Sequence, residues 1–366
     1  MTKQAKFVFR VLLVLLLLVF ATGCDIIQKE DAGQPTDFKR GEAGLEMEFL
    51  SNYPGNSYIL SEDTEGISVV IEVKNKGTYP ENPSFGGGEI YISGFDDRII
   101  DMTGLEDSDK EGKTVEIDQK QLEGKTNALS GMFLSAASPI NPLGGFDTAE
   151  FEGEIIAGKI TVDEYTPTIL ATVCYPYATK ASPTVCVDPQ PFDDKQEKVC
   201  NIGSQILSTQ GAPVAVTKIE QEASTGKIQF KIHVKNVGGG DVIKTGYSNN
   251  LEEDGSTVPT LSRCSPLGNG LLHRKDFDRV QLQKVQIGTV DLLGTGKCSP
   301  FADGTANSGK LIRLFEGEGF VICTLTVKVL GPVESAYTTP INIELGYNYR
   351  STISKSIKIS KLTTVG

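Results

Sequence analysis

Tryptophan is absent from these 366 residues, and histidine occurs only at His233 and His273. There is no Cys-x-x-Cys pair, which argues against a zinc site. Nor is there a Gly-x-Ser-x-Gly, a His-Glu-x-x-His or a phosphate-cradling glycine loop, so little is left for hydrolase or nucleotide chemistry. Without tryptophan, an aromatic sugar-binding platform would have to be made from tyrosine. Basic residues are in the minority: 35 Lys and Arg against 47 Asp and Glu give a formal net charge of −12, and such a surface is a poor partner for nucleic acid.

The basic residues Lys3, Lys6 and Arg10 precede the apolar run Val11 to Phe20, the layout of an export signal. The run is about half of what a membrane span needs. Ala21-Thr22-Gly23 then delivers Cys24. Small residues before a cysteine resemble the lipobox of exported lipoproteins, in which that cysteine becomes lipid-modified and begins the mature chain. The competing readings are an ordinary secretory signal or an uncleaved anchor. Removing Lys3, Lys6 and Arg10 leaves 32 basic against 47 acidic residues, a mature net charge of −15. Such an exterior stays soluble and repels anionic lipid. From Asp25 to Glu42 the chain is polar, a tether spanning about 20–25 Å if coil-like.

With Cys24 assigned to lipid, six cysteines remain: Cys174, Cys186, Cys200, Cys264, Cys298 and Cys323. An even number in an exported chain predicts three disulfides, with no cofactor required. A hairpin about residue 180 would set Cys174 opposite Cys186. Cys264 and Cys298, each beside Ser-Pro, would pin an insertion, and Cys200 would then meet Cys323. The rival closure is Cys186–Cys200, and six cysteines allow fifteen connectivities.

The stretch Ile67 to Gly77 (ISVVIEVKNKG) recurs as Ile228 to Gly238 (IQFKIHVKNVG). Apolar residues at every second position predict a strand with one buried face, and Lys-Asn-x-Gly closes it with turn chemistry. Phe151-Glu152-Gly153-Glu154 is matched by Phe315-Glu316-Gly317-Glu318, and Ser138-Pro139-Ile140 by Ser299-Pro300-Phe301. Tyr165 precedes Tyr175-Pro176-Tyr177 as Tyr337 precedes Tyr347-Asn348-Tyr349. Repeats in one order indicate a tandem duplication. Short alternating strands, turn residues between them and no long helical period after the signal predict an all-β chain of two sandwiches. The valine-rich strand ending in Val-Lys-Asn-x-Gly resembles CARDB-like and related immunoglobulin-like modules of archaeal and bacterial surface proteins. With Gly-Gly-Gly-Glu-Ile-Tyr-Ile-Ser-Gly-Phe-Asp at 86–96, the whole is similar to uncharacterised archaeal exported proteins. That resemblance implies two tandem immunoglobulin-like domains and supplies no known active site to carry over.

The expected organisation is a signal peptide over 1–23, a lipid-anchored tether over 24–42, a first sandwich over 43–190, a linker over 191–211 and a second sandwich over 212–362. Insertions at roughly 95–147 and 245–313 are where the copies differ most, and a partner-specific surface is expected there.

Asp107, Asp109, Glu111 and Asp118, with Gly112 between, place oxygens like those of a calcium loop. The flanks read as strand and turn, and a solvated acidic turn is the competing reading. Asn127 to Phe146 carries no charge, and Met132, Phe133, Leu134, Ile140 and Leu143 would form a partner-contact patch if exposed. The alternative is that they pack over the first sandwich. Tyr175, Tyr177, Tyr347 and Tyr349 fall on inward faces, and Tyr165 and Tyr337 stand where sandwiches pin a corner. These features describe a non-catalytic binding or adhesion lipoprotein at the cell surface or periplasmic face. It would be held to the membrane by lipid, with a surface protein or glycan as partner. The alternatives are a structural subunit of an envelope or filament, and an enzyme or substrate-delivery lipoprotein.

Overall fold

Two long strands near the ends of the halves organise the protein. Thr168–Ala181 turns Ile169, Ala171, Val173, Tyr175 and Tyr177 to one face. Tyr337–Ser356 does the same with Ile341, Ile343, Leu345, Tyr347 and Tyr349. This is the period of two that buries one side of a sheet. The computed structural model describes residues 40–362 apart from 62, 81–86, 103–125, 194–196, 252–256, 262, 265–271, 295–296, 303–308 and 328–334. Among the described residues the fold is all-β, with short 3-10 turns such as Leu129–Gly131 and Ala157–Lys159.

The two strands pair antiparallel from Thr168↔Ser356 to Ala181↔Ile343, with Pro176 opposite Asn348 at the middle. The same register continues at both ends, through Thr184↔Pro340 to Val187↔Tyr337 and through Tyr165↔Ile359 to Glu164↔Ser360. Tyr177 faces Tyr347 and Tyr175 faces Tyr349. Each half thus offers the same surface to the other, the self-complementary arrangement of a two-fold interface inside one chain. The ends are exchanged as well. Thr184–Val187 lies along Tyr337–Ser356, while Lys358–Lys361 sits between Ser57–Leu60 and Glu164–Tyr165.

Around this pair grows a nine-stranded sheet. Glu89–Ser93 and Thr126–Ala128 extend it on one side, and Arg279–Ile287 and Val290–Asp291 on the other. Over its tyrosine-bearing face lie two smaller sheets. One holds Leu45–Phe49, Thr64–Asn75, Phe146–Ile156 and Ile100–Asp101; the other holds Gln205–Ile206, Val214–Ser224, Lys227–Asn236, Glu318–Thr326 and Cys298–Ser299. The strands read from the repeated Val-Lys-Asn-x-Gly segments sit inside these sheets. Val69, Ile71 and Val73, like Phe230, Ile232 and Val234, are buried in one core that runs through both halves. Residues Phe38–Gly366 form a single compact unit.

Two local expectations change. Phe151 lies within a strand opposite Val69, whereas Phe315 precedes Glu318–Thr326, so the Phe-Glu-Gly-Glu match joins positions that differ in the fold. There is also no hairpin at residue 180. Ser182-Pro183 interrupts the strand, but the chain continues along the same partner, which carries Cys186 away from Cys174.

Candidate functional site: the tyrosine-floored seam and the tied insertion

The two smaller sheets meet above four tyrosines. Neighbouring rings stand 5.8–6.4 Å apart, three of the four contacts edge to face and Tyr177–Tyr347 tilted, a packing that adds to plain area burial. Every hydroxyl holds main chain. Leu45 N donates to Tyr175 Oη at 3.0 Å, and Tyr177 Oη donates to Gly211 O at 3.0 Å. Val214 N donates to Tyr347 Oη at 3.2 Å, and Gly240 N to Tyr349 Oη at 2.5 Å. Burial pushes all four hydroxyls above the ordinary tyrosine range, furthest for Tyr175 and Tyr347. The quartet is therefore neutral and enclosed. That overturns the tyrosine platform for sugar: no ring face is open, because each residue is at most 2% exposed.

The repeated Lys-Asn-x-Gly turns meet at this seam. Asn75 is fully buried, and its Nδ2 donates to Tyr79 O and Leu134 O, both at 2.9 Å, while Gly77 N donates to Asn75 Oδ1 at 3.1 Å. Asn236 Nδ2 makes the corresponding bond to Gly240 O at 2.7 Å. Glycine is required at the fourth position by close approach. A Cβ on Gly77 would overlap the Tyr177 hydroxyl and come within 2.7 Å of Gly211 O, and one on Gly238 would lie 2.7 Å from Tyr349 Oη. Gly77→Ala is expected to cost about 3 kcal/mol, read as a lowered urea midpoint, whereas Gly66→Ala, with open space around it, stays close to the parent.

The opposite face of the long strands is covered by part of the second insertion. Its satellite core joins Tyr91, Cys174, Ile243 and Cys264, with Leu261, Leu272 and Phe277 against them. Asn348 Nδ2, at the centre of the two-fold pairing, donates to Lys244 O at 3.0 Å and Thr260 Oγ1 at 3.1 Å. Lys244 Nζ lies 3.1 Å from Asp276 Oδ1, both side chains being almost fully buried. Arg350 bonds Asp241 through Nη2 at 2.7 Å and Nε at 3.0 Å, and its guanidinium stands 5.3 Å from the Phe277 ring centre.

The six cysteines form three disulfides, and the pairing corrects the expected one. Cys174 joins Cys264, Cys186 joins Cys200 and Cys298 joins Cys323. Neither the Cys174–Cys186 nor the Cys264–Cys298 bridge exists, nor does Cys200–Cys323, and the rival Cys186–Cys200 closure is the one observed. Because the strand runs straight on past residue 181, Cys174 meets the insertion of the other half. Cys298 instead faces Cys323 across a strand pair. No spacing in the sequence signals the Cys174–Cys264 bridge, which spans 90 residues. Three disulfides mark an oxidising, extracytoplasmic environment.

The remaining candidates separate. Met132 and Leu134 are buried, whereas Phe133, Ile140 and Leu143 are 62%, 97% and 75% exposed. Asp107, Asp109, Glu111 and Asp118 lie outside the described residues, as does Cys24. Among the described residues no cluster of three metal-ligating side chains occurs, and no helix is long and apolar enough to cross a membrane. His273 is exposed, and its main-chain N donates to Asp276 Oδ2 at 2.9 Å, a turn contact. His233 Nε2 lies 3.4 Å from Glu220 Oε1, a carboxyl held down at about 2 chiefly by its hydrogen bond from Lys218. Tyr165 Oη accepts from Asp96 N at 3.1 Å, a pinned corner. A shallow cleft beside Met47, Phe49 and Ile353 contains Lys355, which is committed to Pro54 O at 2.7 Å.

No protein-family model matches this chain, and a search of curated proteins finds no match.

Proposed function

We propose that the protein is an exported, lipid-anchored surface protein whose two immunoglobulin-like modules, similar to CARDB-like ones, display binding loops without catalysing a reaction. The observation that carries this reading is the disulfide framework. Cys174–Cys264 ties the insertion of one half to the central strand of the other, a cross-link suited to an oxidising exterior. Rigid sheets with loops held at their surface are the usual scaffold for recognition. The lipobox-like Ala21-Thr22-Gly23-Cys24 supplies the anchor and the polar stretch behind it supplies reach.

Intact mass of the membrane-extracted protein, with and without reduction and alkylation, tests the reading. The expected chain begins at diacylated Cys24 and gains six alkyl groups only after reduction. A chain that retains residues 1–23, or that alkylates before reduction, would overturn it.

A further inference from the structure

The charge-free segment Asn127 to Phe146 is folded into a firm tip. Met132 and Leu134 point inward as anchors. Phe133 N donates to Asp147 Oδ2 at 2.9 Å, Gly145 N to Ser135 O at 2.7 Å, and Ser138 N to Asn141 O at 2.9 Å. Outside this frame stand Phe133, Ile140, Leu143 and Phe146, the last 64% exposed. Large apolar side chains at a loop tip mark a contact surface, and the nearest charge in the sequence, Asp147, is held at its base by Phe133 N.

The position of the tip selects its partner. The chain enters the body at the turn that carries it. Lys76 N donates to Gly44 O at 2.9 Å, Ala137 N donates to Gly77 O at 2.8 Å, and Asn75 Nδ2 binds Leu134 O. Gly44, the Asn75–Gly77 turn and residues 134–137 are thus neighbours. Only 15 residues separate Cys24 from Arg40, and they would span roughly 20–25 Å if coil-like. Lipid on Cys24 would hold this tip, rather than the far end of the sheets, against the bilayer. A net negative exterior is repelled by anionic headgroups, but an uncharged apolar tip is not. Exposed Lys76 on the same turn suits the headgroup layer, where amphipathic side chains place their charge.

We infer that Phe133, Ile140 and Leu143 insert into the bilayer interface as a second membrane contact. This inference rests on the proposed lipid anchor for its geometry. The second contact fixes how the body stands on the membrane, because a lipid tether at a single residue leaves it free to rotate.

The absence of tryptophan makes the test direct. Ile140→Trp puts the chain's sole indole at the tip. Val162→Trp puts it near the Thr64↔Ile156 end of the strand pair, roughly 35 Å away along the strands. The full chain, extracted from membranes, is weighed intact and reconstituted into phosphatidylcholine vesicles with and without acyl-brominated lipid. For Ile140→Trp the emission is expected to shift to the blue and lose about half its intensity to bromolipid, as for a side chain at the headgroup–acyl boundary, while Val162→Trp is unchanged. In the unlipidated Cys24→Ser chain, Phe133→Ser with Ile140→Ser and Leu143→Ser should lower vesicle binding about tenfold or more. Equal, unquenched emission from both indoles on a chain whose mass proves lipidation would overturn the inference and leave the anchor standing. A mass without lipid would overturn the anchor, and quenching of the tip in that same chain would still support insertion. A tip that stays unquenched on vesicles but binds a protein would also overturn it.

Discussion

Replacing Cys174 and Cys264 together by alanine is expected to lower stability by about 4 kcal/mol, the largest loss from removing any one bridge. The chain-entropy account scales with the closed loop. A separation of 90 residues predicts about 4.6 kcal/mol, while separations of 14 and 25 predict about 3 and about 3.5 kcal/mol. The location matters as much as the size. This bridge holds the insertion over the pairing centre, so hydrogen exchange should quicken first at Thr260, Cys264 and Asp276, while amides of Thr168–Ala181 stay slow. Urea unfolding under non-reducing conditions, run with the exchange measurement, checks both parts. If the amides of Thr168–Ala181 exchange as fast as those of the insertion, the insertion is not a separately released cover.

The second large effect concerns Lys244 and Asp276. Lys244→Met leaves the Asp276 carboxylate in a site from which water is excluded, and removing one partner of a buried pair costs about 3–5 kcal/mol. Lys244→Met combined with Asp276→Asn should recover about half of that. The amide oxygen can still accept from His273 N, and no net charge is left buried. A double-mutant cycle on urea midpoints reads the coupling. Additive losses would show that the two residues act separately.

Much of the architecture is legible in the sequence because it follows from period-two burial. The alternation over Ile67 to Val73 and Ile228 to Val234 identifies the strands, and the inward tyrosines follow from the same rule. Lys-Asn-x-Gly is readable as a turn, but the reason for its glycine is not: Tyr177 and Tyr349 approach from more than 98 residues away in the chain. The error at residue 180 has a plain cause. Ser182-Pro183 carries turn chemistry, yet Val185 and Val187 hold the next four residues on the same buried line. Once the strand runs straight, Cys174 and Cys186 cannot meet. The patch at Met132 to Leu143 divides because alternating side chains on a short extended segment face opposite ways. Composition alone does not say which.

The exchange of terminal strands sets the order in which the molecule can be finished. Lys358–Lys361 fills the place between Ser57–Leu60 and Glu164–Tyr165, segments made some 200 to 300 residues earlier. The leading half therefore emerges with a vacant slot and two unsatisfied edges, which stay open until residues 358–361 arrive. Contacts so distant along the chain also make for slow closure. A nascent chain stalled short of residue 358 would expose strand edges that recruit other chains, so surveillance of incomplete copies has a defined feature to recognise.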